Sequence, residues 1–119
     1  MTEAKTYAGS CHCGEIRYEV TTDLGKVITC NCSICSRTGW MLHFVPASQF
    51  KLLSGEGSLT DYQFAKKHIH HPFCKTCGVH AFSHGAGHDG SEMRGVNVRC
   101  LEGVDLASLK ITEVDGKSR

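Results

Sequence analysis

Apolar and polar residues alternate over Ile16, Arg17, Tyr18, Glu19 and Val20, and a period of two predicts a strand with one buried face. A β-branched run over residues 26–30 predicts a short strand that ends on Cys30, and residues 33–37 fit one helical turn. Residues 40–45 are mostly apolar and predict a buried strand stopped by Pro46, which has no N–H to donate. Residues 50–54 and 59–64 flank Gly55-Glu56-Gly57-Ser58 and predict a hairpin. Strands are expected over 68–73 and 79–83, on either side of Cys74-Lys75-Thr76-Cys77-Gly78, and over 96–100, with a glycine-rich loop at 85–90. Asp105 is placed to cap a brief helix over 106–109 before a last strand at 111–114. Trp40, Phe44, Phe50, Phe64, Phe73 and Phe82 are expected in the core. The sum is a mainly β, mainly antiparallel architecture of short strands.

Composition narrows this picture. The chain has 119 residues, 40% of them apolar, which suits a single domain over residues 1–119. A net charge of +1 supplies no field that would recruit nucleic acid or an anionic membrane, so neither partner is expected. No stretch approaches the ~20 apolar residues of a membrane span, and the first residues lack a signal-type apolar run, so a cytoplasmic location is expected. In a reducing compartment, eight cysteines arranged as C-x-C and C-x-x-C point to metal rather than to disulfides.

The eight thiols divide by whether a glycine comes directly after them. Cys11-His12-Cys13 and Cys74-Lys75-Thr76-Cys77 each run straight into one, Gly14 or Gly78, where a tight knuckle needs positive φ. The two knuckles match, so Cys11, Cys13, Cys74 and Cys77 are paired as one closed structural zinc site. Cys30-Asn31-Cys32-Ser33-Ile34-Cys35 has no such glycine, and three thiols leave a tetrahedral shell one ligand short. Two readings stand: an open, catalytic position that takes water, a substrate thiolate or an oxygen, or closure by Cys100, His43, His80 or another histidine.

The other polar residues read more plainly. His68, His70 and His71 fit a solvated strand face, His12 points away from its neighbours' metal, and His84 and His88 belong to a loop rim. His80 comes soon enough after the second knuckle to approach a metal. Arg37, two residues past the triad, can offset thiolate charge or meet a substrate carboxylate. Cys100 reads as a buried free thiol in a strand and as the best internal fourth ligand for the triad.

Gly9-Ser10-Cys11-His12-Cys13-Gly14, the triad with Ser36-Arg37-Thr38-Gly39, Phe73-Cys74-Lys75-Thr76-Cys77-Gly78 and Val96-Asn97-Val98-Arg99-Cys100-Leu101 together resemble the glutathione-dependent formaldehyde-activating enzyme family, also called the centromere protein V domain family. The resemblance spans about residues 9–106. It implies a β-tent fold, a structural zinc at Cys11, Cys13, Cys74 and Cys77, and a second, open zinc at Cys30, Cys32 and Cys35. It further implies carbon–sulfur lyase chemistry on a small thiol substrate, condensing formaldehyde with glutathione to S-hydroxymethylglutathione. A zinc-stabilised binding module and a thiol redox sensor are the alternatives from other functional classes.

Overall fold

A computed structural model describes residues 4–63, 70–86 and 91–115. In chain order its strands are β1 (Lys5–Ser10), β2 (Arg17–Thr22), β3 (Val27–Cys30), β4 (Leu42–Pro46), β5 (Phe50–Ser54), β6 (Leu59–Tyr62), β7 (His71–Cys74), β8 (Phe82–Ala86), β9 (Glu92–Asn97) and β10 (Ile111–Val114). One short helix, α1 (Ser33–Thr38), comes after β3. The strands form three sheets, ordered β1-β2-β5, β10-β3-β4-β9-β8 and β6-β7. All named pairs are antiparallel except β10 with β3, which run side by side from Ile111↔Val27 to Val114↔Cys30. The architecture is mainly β, as the alternation requires.

The alternation in β2 works as expected: Tyr18, Val20 and Thr22 are buried while Arg17, Glu19 and Thr21 face out. Tyr18 is the pivot of the main core. Its ring stacks on Phe50 at 4.9 Å, meets Phe82 edge-on at 5.9 Å, and its hydroxyl donates to the Ala81 carbonyl at 2.9 Å. The ring lies over Gly9, its register partner on β1, where an added Cβ would come within 2.4 Å of it. Ile16, Val27, Val45, Val96 and Val98 complete this core, and Cys11 and Cys74 are buried in it. A separate, smaller core holds Cys35, Trp40 and Leu42, with Ile28, Cys30, Cys32 and Ile34 packed against it. Each cysteine cluster therefore has its own apolar support.

Several expectations are corrected. Strands β5 and β6 exist on either side of residues 55–58 but do not form a hairpin; β5 pairs with β2 and β6 with β7, because each finds its apolar partners elsewhere. Residues 96–100 are not one strand: β9 ends at Asn97, and Val98–Cys100 is a 3-10 turn capped by the Asn97 side chain, which accepts from the Arg99 N–H. Phe44 is exposed, on the outward face of β4. His71 is buried rather than solvated, and His84 lies on β8, its ring stacked on His70 at 4.4 Å. The strand β1 carries no clear alternation in sequence and is held by pairing with β2. Expectations for Phe64, His68 and His88 fall outside the described residues.

Candidate metal centres

The knuckles meet as the glycine test requires. Gly14 and Gly78 have φ of +85° and +79°, and their N–H groups turn back to the Cys11 and Cys74 carbonyls at 3.3 and 2.7 Å. These turns bring the sulfurs of Cys11, Cys13, Cys74 and Cys77 within 4.8 Å of one another. Cys13 Sγ is 3.6 Å from both Cys11 Sγ and Cys74 Sγ. Four sulfurs at ~2.3 Å around a tetrahedral zinc stand about 3.8 Å apart, so the cluster fits such an ion closely. The Ile16 N–H donates to Cys11 Sγ at 3.4 Å, a contact that favours thiolate.

The thiols respond unequally to their crowding. For Cys13 the Glu15 N–H favours the thiolate, but desolvation and the Cys74, Cys11 and Cys77 thiols outweigh it and push the group up to about 12. Burial alone would raise Cys77, yet the N–H groups of Cys13 and Val79 and the Cys11 and Cys74 thiols bring it down to about 6. Cys74 is also lowered, first by the Cys77 N–H. Thiols this close resist ionising together, and a divalent cation would let all four do so.

The triad is built from contiguous residues. Cys30 ends β3, Cys32 is the N-cap of α1 and Cys35 lies inside it, with their sulfurs also within 4.8 Å of one another. The Cys32 N–H approaches Cys30 Sγ at 3.5 Å. Beside it, the Asn31 N–H donates to the Val114 carbonyl at 3.2 Å and the Asn31 side chain donates to Asp115 at 2.9 Å, fixing the loop to the end of β10. Burial works against the Cys32 thiolate, but the N–H groups of Cys35 and Ile34 and the neighbouring thiols outweigh it and lower the group. Cys35 is pushed up to about 12, chiefly by burial, although the Trp40 indole N–H donates to its sulfur at 3.0 Å. Trp40 is in the core as expected, and its contact with the triad goes beyond that expectation; the sequence signal for it is the indole N–H, which needs a partner once buried.

Among the described residues, no fourth cysteine, histidine or carboxylate joins the triad at the same spacing. The expected closers lie elsewhere. Cys100 packs with the main core, where burial and the Cys11 and Cys77 thiols push it up to about 11; it neighbours the first cluster. His43 is committed at both nitrogens: Nδ1 donates to the Lys26 carbonyl and Nε2 accepts from the Thr22 hydroxyl, each at 2.6 Å. His80 does lie on the triad's side of the molecule, edge-on to Trp40 at 5.1 Å, without entering the sulfur cluster.

A cleft of about 420 Å³ lies against α1, lined by Ser33, Ile34, Arg37, Tyr62 and His80. Arg37 donates to the Ser33 carbonyl at 2.8 Å, and no ion pair engages it among the described residues. The exposed His12 takes no part in either cluster. No helix among the described residues is long and apolar enough to cross a membrane.

A mainly β chain with one four-thiol and one three-thiol cluster, each of which could hold a metal ion, defines a cysteine-rich β protein with two candidate metal sites. The chain belongs to the glutathione-dependent formaldehyde-activating enzyme family, whose sequence profile matches residues 6–111. It is also similar to a solved protein of Rhodobacter sphaeroides, a structural-genomics target. That likeness has 34% identity and a TM-score of 0.75, over 88% of this chain and 99% of the other.

Proposed function

We propose that the chain is a single-domain, cytoplasmic carbon–sulfur lyase that joins formaldehyde to glutathione, or releases them from S-hydroxymethylglutathione, at the Cys30, Cys32 and Cys35 site. The observation that carries this reading is the triad itself: three converging thiols, with no fourth donor among the described residues, beside a cleft wide enough for a small thiol. In this reading Cys11, Cys13, Cys74 and Cys77 hold a closed structural zinc and the triad holds a second. Zinc bound at three thiolates would supply a Lewis acid with one position left for a sulfur or oxygen of the substrate.

The chain's own residues do the rest. The Trp40 N–H holds the Cys35 sulfur in place and offsets part of its charge. Arg37 offers guanidinium donors to a carboxylate of glutathione at the cleft wall. Ile34 and Tyr62 supply apolar surface on the cleft wall for the substrate to pack against. Exchange spectroscopy of glutathione with ¹³C-formaldehyde tests the reading. Exchange faster than the spontaneous rate, lost in Cys32→Ser, is the expected result; exchange no faster than without protein would overturn it.

A further inference from the structure

His80 combines two features that no other histidine described shares. It lines the cleft beside α1, and its Nδ1 is a buried ring nitrogen with no hydrogen-bond partner. Buried polar atoms are rarely left unpaired, so this one calls for a functional explanation, and it belongs to a ring that lines the cleft. His43 shows the alternative, with both nitrogens satisfied inside the protein. The His80 ring is held by aromatic neighbours, edge-on to Trp40 at 5.1 Å and tilted against Phe73 at 5.3 Å. Trp40 in turn donates to Cys35 Sγ at 3.0 Å, so one rigid side chain links the imidazole to the triad.

We propose that His80 is the proton-transfer residue of the cleft, carrying a proton between the sulfur and the oxygen of a thiol–formaldehyde adduct. The proposal rests on the carbon–sulfur reading above. In the forward direction the thiol proton passes to the imidazole, the sulfur lone pair forms the carbon–sulfur bond, and the carbonyl π pair moves to oxygen. The imidazole then returns its proton to that oxygen. In reverse, His80 takes the hydroxyl proton, the carbon–oxygen double bond reforms, the carbon–sulfur bond breaks and the sulfur recovers the proton. The ring ends as it began, and no electron leaves the substrates.

A neutral imidazole is needed to accept the proton, and burial favours it. Desolvation holds His80 below the usual histidine value, opposed by the Pro72 carbonyl and helped by the neighbouring His71. Other charged or titratable groups around it are Arg37 and Tyr62 across the cleft and Cys100, whose thiol lies 4.0 Å from the His80 carbonyl. Activity should therefore rise with pH through a value below ~6.5 and level off above it.

The test measures exchange rate against pH in the zinc-loaded protein. Wild type is expected to show this acid limb, and His71→Gln to retain it. His80→Gln and His80→Asn are expected to lose roughly 100-fold or more in rate and to lose the limb, while glutathione affinity and zinc content stay at wild-type values. A histidine that only packs against Trp40 would leave the limb in place. A wild-type profile flat from about pH 5 to 7.5, or a limb kept in the His80 variants, overturns the proposal while leaving the carbon–sulfur reading intact. Absence of any acceleration in wild type overturns both.

Discussion

The two cysteine clusters use the same side chain in opposite ways. Cys11 and Cys13 meet Cys74 and Cys77 across some sixty residues of chain, with 61 positions separating Cys13 from Cys74, and two of the four sulfurs are buried in the main core. Cys30, Cys32 and Cys35 come from six consecutive residues on a strand end and a helical turn, set in a small core around Trp40. A centre that joins distant segments cannot form before the fold does, so its metal free energy becomes folding free energy. A centre made locally can gain or lose a ligand while the sheets persist. On the proposed reading, the contrast separates a fastening from a working site.

The sharpest way to break this contrast is to damage each cluster in turn. Cys74→Ser should leave the protein unfolded, because metal binding in closed thiolate sites is worth on the order of 10 kcal/mol, comparable with a whole domain's stability. Far-UV circular dichroism of the variant, with zinc supplied, checks this. Cys32→Ser should keep the wild-type dichroism and melt within a few degrees of it, while thiol-dependent exchange falls to the spontaneous rate. Were the two variants to unfold alike, the division would be lost.

A gentler probe is Trp40→Phe, which keeps an aromatic ring in the small core but removes the N–H to Cys35 Sγ together with part of the buried ring surface. Metal affinity at the triad should fall about 10–100-fold, as for other groups that orient a ligand, and competition with a chelator would read it. The first cluster should hold its metal unchanged.

The smallest effect expected is on acid stability. Burial lowers His71, His80 and His84 below the ordinary value of 6.5, so the unfolded chain binds more protons than the folded one. Their contribution is full above pH 6.5 and is lost as pH falls below it toward the folded values. His71 stacks on Trp40 at 5.9 Å and His80 meets it edge-on, and Trp40 is the sole tryptophan. Denaturation monitored by its fluorescence should show a lower midpoint at pH 5.5 than at pH 7.5.

The first cluster was legible because its grammar is local: a glycine after the second thiol announces each knuckle, and two matching knuckles have only each other. The strand β2 and the helical turn that carries Cys35 were equally plain from period and spacing. What escaped depended on long-range packing. Nothing in the run Val96–Leu101 said that the chain turns at Val98 and delivers Cys100 to the first cluster's side, where it cannot complete the triad. Nor did the sequence show that His43 would spend both nitrogens on Thr22 and Lys26. The residue pairings of β5 and β6 escaped for a related reason: a hairpin signal states where strands end, while sheet partners are chosen by the faces left to bury.

The central claim is that the closed cluster and the open one coexist in a single chain. X-ray absorption at the zinc edge, with zinc counted per chain and glutathione absent or added, tests it most directly. Two zinc ions are predicted, one with four sulfurs under both conditions and one with three sulfurs and a light atom that gains a fourth sulfur when glutathione binds. Full protein shells on every zinc, with spectra unchanged by glutathione, would contradict the account.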